Sequence, residues 1–131
     1  SVANGGIMME PRLVKEIRTN LGMVTRTLSP AVFRRVMQPK IAEKLASYMY
    51  EAVQRGTATR AAIPGYTVCG KTGSAETSDD KRKATNAWYV GFVYDDENPY
   101  AIAIVIEEVG AGGSIAAPLA AKILKKAIEI S

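Results

Sequence analysis

Two apolar runs, residues 87–94 and 100–107, are separated by a five-residue polar connection that contains Asp95, Asn98 and Pro99. This pattern restricts the fold more than any other feature of the chain. Both runs are rich in aromatic and β-branched residues, which favour strands. The connection reads as a hairpin loop, so the two strands pair antiparallel. The second run, Ile102-Ala103-Ile104-Val105-Ile106, is apolar on both faces and is expected at the centre of a sheet.

The other elements rest on local signals. Residues 11–18 alternate weakly, Asn20-Leu21-Gly22 is a turn, and residues 23–28 read as the return strand. Ser29-Pro30 opens a predicted helical segment reaching about Met37. Pro39 suits the first turn of a longer helix, because its missing N–H is not needed there. In that helix Ile41, Leu45, Tyr48, Met49, Ala52 and Val53 recur at helical spacing and are predicted to form the core face, with Gly56 as the stop. Residues 65–74 hold a strand signal in Tyr66, Thr67 and Val68. Residues 76–85, dense in mixed charge, read as a solvated loop. Residues 110–113 read as a flexible link. A last helix over 118–130 is predicted to bury Leu119, Ile123, Ala127 and Ile130. The sum is an α+β chain with an antiparallel sheet flanked by helices. Asn4-Gly5-Gly6 has the composition of a segment just past a helix C-terminus, so the chain reads as starting at the end of an element it does not contain.

Composition limits the chemistry. Among 131 residues there is no His and one Cys, Cys69. A Ser-His-Asp triad, a Cys-His pair, zinc-finger spacings and His-bearing metal motifs are therefore excluded within this chain, as is an internal disulfide. No metal and no cofactor is expected. Lys plus Arg number 17 against 13 acids, a net +4 that suits anionic ligands without demanding nucleic acid. Aromatics that could stack bases are few and scattered, so no nucleic acid is expected as a partner. The longest strongly apolar run, 101–106, is far too short to cross a bilayer.

Four motif matches compete. Gly65, Gly70, Lys71 and Thr72 fit the P-loop pattern, which would make the chain a nucleotide binder. A P-loop needs a buried strand before the first Gly and a helix opening at Lys-Thr, so that backbone amides face the phosphates. Ala61-Ala62-Ile63-Pro64 is a poor central strand, and residues 73–78 lack helical periodicity. Gly110-Ala111-Gly112-Gly113 suggests a dinucleotide turn but has Ile115 where the third Gly belongs. Ser78-Asp79-Asp80-Lys81 is the single Ser-x-x-Lys. Its two acids favour the charged form of Lys81, so it is a poor base for Ser78. Lys71-Thr72-Gly73 remains. It ends a strand-like segment, is followed by the small Ser74, and precedes the polar loop.

The ordered landmarks resemble the C-terminal part of the transpeptidase domain of class B penicillin-binding proteins. They are Ala3-Asn4-Gly5-Gly6 with Pro11, Leu13 and Val14; Met49 and Val53 before Gly56-Thr57-Ala58; Gly70-Lys71-Thr72-Gly73-Ser74-Ala75-Glu76; Ala87-Trp88-Tyr89-Val90-Gly91-Phe92; the 101–107 strand; and Ala116-Ala117-Pro118. The resemblance implies part of the penicillin-binding, serine β-lactamase-like fold. It implies a peptidoglycan D,D-transpeptidase that forms an acyl-serine on a D-Ala-D-Ala stem peptide and is acylated by β-lactams. It places Lys71 as a cation beside the nucleophile cluster and near the substrate carboxylate. Thr72 becomes a hydroxyl donor to that carboxylate, and Gly73 a point of close backbone approach. The backbone N–H of Ser74 becomes an oxyanion-hole donor, a role worth about 3–4 kcal/mol in acyl-transfer enzymes. The family usually has Thr where this chain has Ser74.

Of the family's three motifs, Ser-x-x-Lys, Ser-x-Asn and Lys-Thr-Gly, only the third maps here. No Ser-x-Asn occurs. The resemblance therefore implies that residues 1–131 are the C-terminal portion of one transpeptidase domain, without its nucleophile, inactive alone and completed by the rest of the same polypeptide. It also implies a location on the extracytoplasmic face of the bacterial membrane, anchored by an N-terminal segment outside this chain. The partner strand of 100–107 would be missing, so an exposed strand edge and self-association are expected. A non-catalytic β-lactam sensor of the same fold is the remaining alternative.

Overall fold

The computed structural model describes residues 1–76 and 84–130. The chain divides into two compact units, Ser1–Glu43 and Lys44–Ser131.

The first unit holds two small antiparallel ladders. Strand β2 (Glu16–Arg18) pairs with β3 (Val24–Thr27), as the turn at Asn20-Leu21-Gly22 predicts. Gly22 closes that turn with φ +82° and donates to the Thr19 carbonyl at 2.9 Å. The strands are shorter than the sequence suggests. The second ladder joins β1 (Ile7–Met9) to β4 (Val32–Arg35). The expected helix over 29–37 is thus a strand. Val32 and Phe33 prefer extended backbone. A helix this short would be marginal in isolation, whereas β1 offers a ladder that the Val36 N–H extends by donating to the Gly6 carbonyl at 2.9 Å. Gly5 and Gly6 take φ of +59° and +88°, the left-handed backbone read from Asn-Gly-Gly.

Helix α1 (Pro39–Arg55) begins at the proline and stops at Gly56 as expected. Any Cβ on Gly56 would lie 2.8 Å from the Ala52 Cα, so the stop requires glycine. The buried face matches the expectation at Val53 and differs elsewhere. Ala42, Ala46 and Val53 are buried, whereas Ile41, Leu45 and Tyr48 are 50%, 38% and 58% exposed. Two adjacent apolar stripes share this helix, and the alanine-rich one admits a closer backbone approach. Helix α2 (Ala116–Glu129) repeats the correction. It buries Ala117, Ala120 and Leu124, while Leu119, Ile123 and Ile130 stay exposed.

The second unit is built on a three-stranded antiparallel sheet, β5 (Val68–Ala75), β6 (Asn86–Val93) and β7 (Ala101–Ile106), in the order β5-β6-β7. The β6–β7 hairpin is the one read from sequence. Asp95 Oδ1 organises its loop by accepting from the Glu97 and Asn98 N–H groups at 3.0 and 2.7 Å. β6, not β7, is central among the described strands. β7 alternates exposed Ala101, Ala103 and Val105 with half-buried Ile102, Ile104 and Ile106. An apolar run signals two apolar faces but does not count neighbouring strands.

One sheet face carries the core. Val68, Ala87, Tyr89 and Val93 on it pack with Val53 and with Ala117, Ala120 and Leu124 of α2. Each large aliphatic buried here contributes about 1.5–3 kcal/mol. Gly70 and Gly91 face each other across β5 and β6. A Cβ at either would collide with the Tyr89 side chain. The paired glycines therefore form a slot for that fully buried ring.

Candidate active site

β5 carries the Lys-Thr-Gly motif and is paired on one side only, by β6. Its second edge is open among the described residues. An open antiparallel edge presents backbone N–H and C=O groups that an extended ligand can use. The strand runs without a break from Val68 through Lys71, Thr72, Gly73 and Ser74 to Ala75. No helix opens at Lys71-Thr72. The P-loop alternative is thereby overturned, because its phosphate cradle requires a helix N-terminus there.

Strand alternation sends Lys71 and Gly73 to one face and Thr72 and Ser74 to the other. Lys71 is exposed, and its Nζ donates to the Thr72 carbonyl at 2.6 Å. A cation therefore stands at the strand that offers the open edge. Gly73 pairs with Trp88, and a Cβ on it would come 3.3 Å from the Trp88 Cβ. Glycine thus keeps the Trp88 side clear and leaves the strand without a side chain at this position.

On the other face two loops close around Thr72 and Ser74. The residues after α1 bring Thr57, whose Oγ1 lies 2.6 Å from Thr72 Oγ1. The segment before α2 brings Gly112, whose N–H donates to Ser74 Oγ at 3.3 Å. Gly112 is buried, and a Cβ on it would collide with the carbonyl oxygens of Gly73 and Trp88. Residues 110–113 are therefore seated on the sheet at Gly112, not a free link as the sequence suggests. Gly113 lies against the Thr57 carbonyl, 2.6 Å from where its Cβ would be. Arg60, on the 3-10 turn Thr59–Ala61, donates to the Ser114 carbonyl at 3.4 Å and ties the two loops together.

The structure thus brings Lys71, Thr72, Gly73 and Ser74 onto one strand. It adds Thr57, Gly112 and Gly113, to which sequence reasoning gave no part in the Lys-Thr-Gly site. The available signal was the Gly-Gly pair before a helix, a place where backbone can come close to backbone. Ser78 and Lys81 lie outside the described residues, as does most of the polar segment read over 76–85.

The hydroxyls of Thr57 and Thr72 bond to each other, and Ser74 Oγ to a backbone N–H; Lys71 Nζ bonds a carbonyl. Burial pushes the Cys69 thiol up, away from the reactive thiolate. Burial, then the nearby Cys69, pushes the Tyr89 hydroxyl up to about 12, so it stays protonated at neutral pH. Among the described residues no cluster of His, Cys, Asp and Glu could hold a metal ion. No helix among them is long and apolar enough to cross a membrane.

Residues 1–125 match the family model of the penicillin binding protein transpeptidase domain. The chain belongs to this family. The peptidoglycan D,D-transpeptidase PbpA of Mycolicibacterium smegmatis is 33% identical over 91% of the chain and 25% of its own length. PbpA of Mycobacterium tuberculosis is 32% identical over 98% of the chain and 27% of its own length. Among solved structures, the D,D-transpeptidase domain of a peptidoglycan glycosyltransferase from Eggerthella lenta matches with a TM-score of 0.83 and 34% identity. The match covers 98% of this chain and 30% of that one. Penicillin-binding protein A from M. tuberculosis, solved as a ceftriaxone acyl-enzyme complex, matches with a TM-score of 0.85 and 32% identity, over 97% of this chain and 30% of that one. The chain thus spans about a quarter of the curated relatives' length. For this transpeptidase-family chain, the α+β class and the family resemblance both hold.

Proposed function

We propose that this chain forms the substrate-gripping part of a peptidoglycan D,D-transpeptidase. The observation that carries the reading is the unbroken β5 strand with an open edge, bearing Lys71, Thr72, Gly73 and Ser74 in a penicillin-binding transpeptidase fold. The PbpA relatives named as D,D-transpeptidases and the acyl-enzyme complex of a similar structure support it.

In this reading a Ser from a segment upstream of these residues attacks the carbonyl of the penultimate D-Ala of a stem peptide. The C–N bond breaks and the terminal D-Ala leaves with a proton on its amine. An amine of a neighbouring strand then attacks the acyl-serine, restores the Ser hydroxyl and forms the cross-link. A β-lactam acylates the same Ser by opening its ring. Lys71 attracts the substrate's terminal carboxylate, Thr72 donates its hydroxyl to it, and the Ser74 N–H stabilises the oxyanion. The setting is the extracytoplasmic face of the bacterial membrane, reached through an anchor elsewhere in the polypeptide. The β7 edge, unpaired among the described residues, supports self-association of residues 1–131 when isolated.

Labelled benzylpenicillin tests the reading by intact mass. Residues 1–131 alone are expected to acquire no covalent adduct, and the polypeptide completed upstream to acquire one per molecule. An adduct on residues 1–131 alone, or none on the completed polypeptide, refutes it.

A further inference from the structure

Thr57 touches Thr72 and has no part in the substrate grip assigned to Lys71, Thr72 and Ser74. The Thr57 and Thr72 hydroxyl oxygens lie 2.6 Å apart, a full-strength O–H···O distance. Each hydroxyl has one proton and two lone pairs. If Thr72 gave its proton to Thr57, it would turn lone pairs toward an incoming carboxylate and repel it. If Thr57 gives its proton to Thr72, the Thr72 proton is free to point at the ligand. The hydroxyl chain is then polarised in the direction that strengthens the outer bond. Only the second arrangement suits an anion.

The surroundings hold Thr57 in place for this. It sits just past Gly56, which stops α1 and admits no Cβ. Its carbonyl is packed against Gly113, and the 3-10 turn that comes after it is tied by Arg60 to the Ser114 carbonyl. Gly112 acts on the neighbouring hydroxyl in the same sense. Its N–H fills a lone pair of Ser74 and leaves the Ser74 proton to donate.

We propose that Thr57 is a positioning residue that commits the Thr72 hydroxyl to donate toward a ligand carboxylate. The proposal rests on the transpeptidase reading and names a residue on which that reading does not depend. Thr57 acts through Thr72 and does not itself touch the ligand.

The test uses the completed transpeptidase polypeptide and the second-order rate of acylation by benzylpenicillin and by its methyl ester, which lacks the carboxylate charge. Thr57→Val keeps the shape and removes the hydroxyl. It should slow acylation by benzylpenicillin about fivefold, less than the loss of a whole hydrogen bond to a charged partner, because the Thr72 hydroxyl remains and loses only its committed orientation and polarisation. Its effect on the ester should be within about twofold. Thr57→Ser, which restores the hydroxyl, should recover most of the rate. In a Thr72→Val background, Thr57→Val should cost nothing further. Equal losses on acid and ester, additive losses in the double variant, or an unchanged rate in Thr57→Val would overturn the proposal while the transpeptidase reading stands. Absence of acylation in the unsubstituted polypeptide would overturn both.

Discussion

Gly112→Ala isolates the contact between the loop before α2 and the motif strand. Gly112 has no positive φ, so the substitution adds no backbone strain of its own. The whole effect comes from space. The new methyl would be driven into the carbonyl oxygens of Gly73 and Trp88 and would sit 3.2 Å from the Gly73 nitrogen. Gly73 and Trp88 are one registered pair of the β5–β6 ladder, so no flexible side chain can yield. Either the ladder shifts or the loop lifts. Overpacking of this kind costs about 1–3 kcal/mol. Lifting the loop also loses the Gly112 N–H···Ser74 Oγ bond and disturbs the Ala117 N–H···Gly112 carbonyl bond that starts α2, at about 1 kcal/mol each. The sum is about 3–5 kcal/mol, or roughly 9–20 °C in Tm for a chain of this size. Thermal unfolding followed by circular dichroism measures it. Gly65→Ala is the comparison. There the methyl would meet open space, and only the φ of +85° is strained, at about 1–2 kcal/mol. If Gly112→Ala unfolds within a degree of the unsubstituted protein, the close seating of the loop on Gly73 is wrong.

Two further expectations concern the core. Tyr89 is fully buried, and its hydroxyl has no hydrogen-bond partner among the described residues. Its ionisation is held up at about 12 in the folded state, against the ordinary 10 of an unfolded chain. The protonated ring's contribution is therefore complete below pH 10 and is lost as pH rises toward 12, where the unfolded chain ionises first. Tyr89→Phe should flatten the fall of Tm between pH 10 and 12; an unaltered alkaline profile refutes the assignment. On α2, Leu124→Ala should cost about 2–5 kcal/mol and Ile123→Ala less than about 1, measured by urea unfolding. Equal losses would restore the face expected from sequence.

Much of the chain was legible without coordinates. Pro39 and Gly56 bracket α1, Gly22 marks the first hairpin turn, and two apolar runs around Asp95 and Pro99 make the β6–β7 hairpin. These are local signals, set by what one backbone position can adopt. Lys71-Thr72-Gly73-Ser74 stood out for a related reason: a strand-like segment that ends in a cation, a hydroxyl and a residue without Cβ is a chemical pattern readable in one dimension.

What the sequence left open was which of two surfaces turns inward and which distant segments meet. Ile41 and Ala42 are both apolar and adjacent, and so are Ile123 and Leu124. Helical periodicity accepts either stripe, and only packing selected the ones containing Ala42 and Leu124. Residues 32–35 became a strand because β1 was there to pair with them. Thr57 and Gly112 reach the motif from 15 and 38 residues away in sequence, respectively. The sequence alone determined a strand bearing Lys71, Thr72, Gly73 and Ser74. The tertiary structure decided that Thr72 meets Thr57 and that Ser74 meets Gly112, because a hydroxyl's orientation depends on the partner that folding brings to it.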